Sequence, residues 1–288
     1  MATPTEEPYK VKVVLLSHKD SDILTLSTAK QMLPLDFPTI ETVDLCSLKV
    51  DADMLDVVNE KILGPNSTTS KNETEVLVIV RLLGRGVPGM QHLLDHARKH
   101  NHHLIVVSGI PGSFEPDLTA MCNNVSVDTI NEVMKYFHAD GCANNMNNML
   151  RYLADHLFKC GYEYDPAVSM PDHGLYHPKF DGADETRMYL QDCFENSGKP
   201  TVAVIFYRCH YLSGNRAFVD ALLDELDVLG VNSIGLFTES LRAAEPIGNV
   251  NGHDVERFPT ALTYLLDQST GKGMVDVLIS SMVSRHSV

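Results

Sequence analysis

Glu75-Val-Leu-Val-Ile-Val-Arg-Leu-Leu83 is a run of aliphatic residues interrupted only by Arg81. A polar loop, Asn66–Asn72, precedes it, and Gly84-Arg-Gly86 breaks it. A short apolar run between turn signals reads as a strand, and this is the clearest one in the chain. Upstream, Val11–Ser17 (VKVVLLS) is a second such run, rich in β-branched residues. Asp20-Ser-Asp22 follows as a turn and N-cap, and Ile23–Leu33 has helical spacing until Pro34 stops it. Thr39–Leu45 reads as a strand and Met54–Leu63 as a helix ending at Gly64-Pro65. Downstream, Met90–His100 is helical, His103–Ser108 (HLIVVS) is another strand, and Gly109-Ile-Pro-Gly112 follows it. Strands linked one to the next through helices predict an α/β fold with a parallel sheet, flavodoxin-like or Rossmann-like.

Beyond this sheet the pattern changes. Asp117–Lys159 is helical, with apolar residues at i, i+3 and i+4 in Val127–Phe137 and Asn145–Phe158. Gly161–Phe180 is rich in proline and glycine and has no clear period, so residues 161–198 are expected to be a connector. The predicted organisation is an N-terminal α/β domain with trailing helices (1–160), the connector, and a second α/β unit (199–288). In that unit Pro200–Tyr207 (PTVAVIFY) is a strand and Arg208–Asn215 (RCHYLSGN) a loop. Arg216–Leu229 is an amphipathic helix closed by Gly230; Asn232–Phe237 and Met274–Ile279 are further strands. Only Ser280–Val288 follow, so the second unit reads as incomplete, and a truncated or reduced protein is expected.

Composition narrows the partners. The 288 residues are 44% apolar and 21% charged, which suits a globular chain with a sizeable core. The formal net charge is −15, with 38 acidic against 23 basic residues. Such a surface repels phosphate backbones and anionic lipid, which argues against nucleic acid and membrane as partners. Met1–Tyr9 is polar and acidic, unlike a signal peptide, and no apolar run is long enough to span a bilayer. Six scattered cysteines without a C-x-x-C pair predict reduced thiols and a cytoplasmic location. Neither glycine-containing turn gives a G-x-G-x-x-G or Walker A sequence, so no nucleotide site is inferred.

Three segments carry a family resemblance. They are Gly174-Leu-Tyr-His-Pro178, then Lys199–Asn215 with its Tyr-Arg-Cys-His-Tyr-Leu-Ser-Gly-Asn ending, then Phe218-Val-Asp-Ala-Leu222. Together they resemble the large subunits of cobalt and magnesium chelatases, and they look closer to the cobalt (CobN-type) branch. Val231–Leu241, with Phe237-Thr-Glu-Ser-Leu241, is similar to a further family segment, and Ser17–Asp22 and Val80-Arg-Leu-Leu-Gly84 fit more loosely. The resemblance implies an N-terminal portion of such a subunit. For the full subunit it implies binding of a tetrapyrrole, hydrogenobyrinic acid diamide or a porphyrin, and insertion of a cobalt or magnesium ion as substrate. ATP hydrolysis would come only from partner AAA+ ATPase subunits. The alternative is a non-catalytic tetrapyrrole-binding or partner-docking protein of the same ancestry, or, further off, a flavodoxin-like sensor of a small anion.

Loops between a parallel strand and the next helix are where α/β folds place ligands, and Arg208–Asn215 is such a loop. Arg208 is a candidate bidentate partner for a ligand carboxylate. Ser213, Gly214 and Asn215 are candidate hydrogen-bonding groups, and Tyr211 belongs to the same motif. His210 is a candidate proton acceptor for ring N–H groups or axial metal ligand, and His177 a candidate contact from the Gly-Leu-Tyr-His-Pro segment. The competing reading is structural: Ser213 or Asn215 as a helix cap, Gly214 as a turn, Arg208 paired with a local acid, His177 bonded within its own domain. Cys209 and His210 are sequence neighbours that point to opposite faces, which argues against a nucleophile pair. His92, His96 and His100 share one helix face, with His102 and His103 just beyond. The separate stripe of Met90, Leu93, Leu94 and Ala97 predicts that these imidazoles face solvent and hold no metal.

Overall fold

The computed structural model describes residues 11–63, 74–84, 86–110, 115–138, 141–241, 244–246, 249–250, 253–254 and 257–282. The 1–9 segment, the 66–72 loop, and parts of the 84–86 and 109–112 turns lie outside the described residues. The chain divides into two compact units, Met1–Ser169 and Met170–Val288. Both are α/β.

The first unit is built on β1 (Val11–Ser17), β2 (Thr39–Asp44), β3 (Glu75–Leu82) and β4 (His103–Ser108). All pair in parallel, in the flavodoxin-type order β2-β1-β3-β4. Helices α1 (Asp20–Lys30), α2 (Asp51–Asp56, continuing as a π-helical turn to Leu63) and α3 (Met90–Lys99) connect the strands, and α4 (Pro116–Met121), α5 (Val127–His138) and α6 (Ala143–Phe158) follow. Period-two alternation sorts the strand side chains between two cores. Val14, Leu16, Val78 and Val80 pack with Met54, Val58 and Leu93 of α2 and α3. Val13, Leu15, Leu77 and Ile79 pack with Leu26, Val133, Met149 and Leu153 of α1, α5 and α6. Truncating one such leucine to alanine costs about 2–5 kcal/mol.

The charge in the β3 run has a partner. Arg81 is fully buried and pairs with the buried Asp22 of α1. Asp22 also accepts from the Ser17 hydroxyl at 2.5 Å, and the Arg81 guanidinium lies 4.1 Å from the Phe137 ring centroid. Ser17–Asp22 and Val80–Gly84 therefore meet at the C-terminal ends of β1 and β3, through this ion pair and through the His18 amide donating to Arg81 O and the Leu83 amide donating to His18 Nδ1, both at 3.1 Å.

The second unit begins earlier than the sequence pattern suggests. Residues 161–198, expected to be a connector, contain β5 (His173–Tyr176) and α7 (Ala183–Asn196). The strand is only four residues long, and α7 buries just Thr186, Leu190 and Cys193, so neither leaves a strong period in the sequence. β6 (Thr201–Tyr207) leads into α8 (Arg208–Ser213) and α9 (Ala217–Val228), and then β7 (Asn232–Thr238). Short strands follow: β8 (Ala244–Pro246), β9 (Asn249–Val250), β10 (His253–Asp254) and β11 (Arg257–Pro259), pairing β8 with β11 and β9 with β10. A 3-10 helix at Thr260–Leu265 precedes β12 (Val277–Ser280).

The main sheet has the order β12-β6-β7-β5, parallel except for β5 against β7. The predicted Met274–Ile279 strand is displaced toward the C-terminus because Met274 is turned into the core and its amide donates to Leu265 O at 2.8 Å. One face of the sheet packs Ala203, Ile205, Ile234 and Leu236 against Leu190 of α7 and Ala261 and Leu265 of the 3-10 helix. The other packs Val204, Phe206 and Phe237 with Val219 and Leu223 of α9 and Tyr176 of β5.

Candidate functional site

The segment expected to be a loop after β6 is a short helix for most of its length. α8 runs from Arg208 to Ser213 and ends on Gly214, whose φ of +75° is a left-handed cap. A Cβ at Gly214 would meet nothing within 4 Å, so the backbone angle alone selects glycine here.

Arg208, the candidate carboxylate partner, is fully buried. Its Nε donates to Pro171 O at 2.7 Å and an Nη to Met170 O at 2.8 Å, and it pairs with the Asp172 carboxylate at 3.5 Å. The side chain thus fastens the segment entering β5 to the end of β6. It is spent on structure and turned away from solvent.

His210 is half-buried, its ring edge-on to Phe218 with centroids 5.1 Å apart. Tyr211 stacks on Phe237 at 4.0 Å with an interplanar angle of 8°, and meets Tyr176 edge-on at 5.8 Å. Ser213 makes a long contact to His210 O at 3.5 Å, while Gly214 and Asn215 are exposed. His177 is brought elsewhere. It is buried, accepts from the Lys179 amide through Nδ1 at 3.2 Å, and sits against the rings of Phe180 and Tyr189 of α7. Burial lowers its pKa below the usual histidine value and favours the neutral ring.

Four residues outside the sequence-based candidates complete the cluster: Tyr176, Phe237, Arg216 and Asp220. The Tyr176 hydroxyl donates to Asp220 at 2.6 Å, and burial followed by this bond pushes the phenol up to about 12. The Arg216 guanidinium lies 5.0 Å from the Tyr176 ring centroid and 5.7 Å from that of Tyr211. Each stands inside or next to a quoted motif, Gly174–Pro178, Lys199–Asn215, Phe218–Leu222 or Val231–Leu241. The signal was therefore present, but an aromatic in a motif reads equally well as core. Gly235 of β7 makes room for the cluster: a Cβ there would stand 2.9 Å from Tyr176 O and 3.2 Å from the Phe206 ring. The arrangement is an aromatic shelf in which the half-buried Tyr211 is backed by the buried Tyr176 and Phe237, with an arginine at its side and an imidazole on the same short helix.

Among the described residues no group of three or more His, Cys, Asp or Glu side chains is placed to hold a metal ion. The histidines of α3 are not all solvated as expected. His96, half-buried, stacks on His100 at 4.4 Å and lies 5.3 Å from His102. Burial, reinforced by the neighbouring imidazoles, lowers His96 and His102 to about 4. Face-to-face imidazoles aim their in-plane lone pairs past one another, which suits packing and not chelation. All six cysteines are free thiols, and among the described residues no helix is long and apolar enough to cross a membrane.

The CobN/Magnesium Chelatase family profile matches residues 134–287, just over half of the chain. The chain is 24% identical over 253 residues to the aerobic cobaltochelatase subunit CobN of Pseudomonas aeruginosa, covering 87% of this chain and 19% of that protein. It is 28% identical over 194 residues to CobN of a Sinorhizobium species, covering 64% and 15%. It is 24% identical over 185 residues to the chloroplastic magnesium-chelatase subunit ChlH of rice (Oryza sativa), covering 54% and 12%. Among solved structures, the catalytic subunit of cobaltochelatase from Mycobacterium tuberculosis matches with a TM-score of 0.51 and 24% identity, over 82% of this chain and 17% of that one. The chain spans less than a fifth of the length of the curated relatives it matches by name. The segments that meet at the aromatic shelf fall within the matched residues, and the chain belongs to the CobN/magnesium chelatase family.

Proposed function

We propose that this chain is a tetrapyrrole-binding part, or a short homologue, of the large subunit of an ATP-dependent cobalt or magnesium chelatase. Cobalt or magnesium is the substrate ion, and ATP is hydrolysed on AAA+ partner subunits. The observation that carries the reading is the convergence of the motif segments on Tyr176, Tyr211 and Phe237 beside the C-terminal ends of β6 and β7. That end of a parallel sheet is where α/β proteins bind ligands, and the half-buried Tyr211, backed by the buried Phe237 and Tyr176, is the aromatic surface a flat macrocycle would meet. His210, at the start of α8, is the candidate axial ligand for a metal already in the ring, or the acceptor of a ring proton. Ser213, Gly214 and Asn215 face the ligand's polar periphery. Arg208 keeps β5, and with it Tyr176, in place.

Titration of the full chain with hydrogenobyrinic acid diamide and with a carboxylated porphyrin, read by absorbance and fluorescence, tests this. Saturable binding that weakens in Tyr211→Leu is expected. No binding of either ring would overturn the proposal. Binding without metal insertion, when the family's ATPase subunits and ATP are supplied, would favour the non-catalytic alternative.

A further inference from the structure

The motif region holds two arginines, and they differ in what their donors face. Arg208 is fully buried against the carbonyls of Met170 and Pro171 and the carboxylate of Asp172. Arg216 is half-buried beside the rings of Tyr176 and Tyr211. Contact of this kind fixes where the cation stands but uses none of its five N–H donors. No side-chain hydrogen bond or ion pair of Arg216 forms among the described residues. The acid one turn along α9, Asp220, is already engaged by the Tyr176 hydroxyl at 2.6 Å. The charge is felt at the shelf, since Arg216 pulls the Tyr176 phenol down against the effect of burial.

We infer that Arg216 is the anion-recognising residue of this site and grips a carboxylate side arm of the ring ligand at the edge of the aromatic shelf. Arg208 is a positioning residue that never meets the ligand. The inference rests on the tetrapyrrole reading above. A guanidinium matches a carboxylate bidentately, and its aromatic seat restrains the side chain before the ligand arrives, which lowers the ordering cost of binding.

The test uses the full chain and two porphyrins that differ only in side-arm termini, one carboxylate and one primary amide. Wild type is expected to prefer the carboxylate form. Arg216→Gln should lose about tenfold to hundredfold affinity for that form and little for the amide. Arg216→Lys should fall between, because it keeps the charge and loses the fork. Thermal melts of both variants run alongside. If wild type binds neither porphyrin, the tetrapyrrole reading falls and takes this inference with it. If wild type binds both equally, or Arg216→Gln loses both by the same factor, the ring reading stands and the role of Arg216 is refuted.

Discussion

Replacing Asp22 with alanine removes the carboxylate that faces Arg81 inside the first unit. Both side chains are essentially inaccessible, at 1% and 0% exposure, so water cannot take over the lost contact. Removing one partner of a buried ion pair costs about 3–5 kcal/mol, because the remaining charge stays desolvated without its counter-charge. The Ser17 hydroxyl, which donates to Asp22 at 2.5 Å, loses its acceptor and adds about 1 kcal/mol. At roughly 2–4 °C per kcal/mol for a unit of this size, the melting temperature should fall by about 8–24 °C. Asp22→Leu combined with Arg81→Met should recover most of the loss, since no lone charge is then left inside. Urea denaturation followed by far-UV circular dichroism measures the change. Hydrogen exchange at β1 and β3 amides assigns it to this unit. A loss under about 1 kcal/mol in Asp22→Ala, or a double variant as unstable as the two single changes added together, would refute the argument.

Other expectations follow from the same reading of burial. Arg208→Ala should destabilise the second unit by about 2–4 kcal/mol in a denaturant titration, because the carbonyls of Met170 and Pro171 lose their donor; an unchanged midpoint would contradict the buried clasp. His96 and His102 have folded values near 4 against 6.5 when unfolded, so the unfolded chain binds more protons between these limits. Stability should therefore fall as pH drops from about 6.5 toward 4, and the His96→Gln, His102→Gln double variant should flatten that slope in pH-dependent melts. Gly235→Ala should cost about 1–3 kcal/mol and weaken ring binding, since the added methyl meets Tyr176 O at 2.9 Å; wild-type melting and titration curves would show the site roomier than this distance implies.

The α/β class was legible because Val11–Ser17, Glu75–Leu82 and His103–Ser108 are apolar runs that a parallel sheet buries on both faces. The motif segments were legible too, and the fold brings them together around β6 and α9. The part each side chain plays was not. Arginine in a ligand-binding loop and arginine clasping backbone carbonyls have the same local sequence, and only the path of 170–172, set by β5 pairing with β7, separates Arg208 from Arg216. β5 escaped notice because a four-residue strand draws its stability from its partner. The histidines of α3 were misplaced because His102, beyond the helix end, folds back toward His96 through a turn that helical spacing does not describe.

The antiparallel pairing of β5 with β7 also governs when the shelf can exist. Tyr176 is made before α7, β6 and α9, and Phe237 after them, yet the shelf needs both with Tyr211 between. Its ring contacts join residues 35 and 26 apart in the chain, and such non-local contacts form only after loop closure has been overcome. Until β7 docks beside β6, an emerging chain holds Tyr176 and Tyr211 without the surface that Phe237 provides. The ring ligand proposed above, if it recognises the finished shelf, would bind folded chains selectively and draw the equilibrium toward them by mass action. Under that proposal, ligand supply would be a determinant of how much folded second unit accumulates.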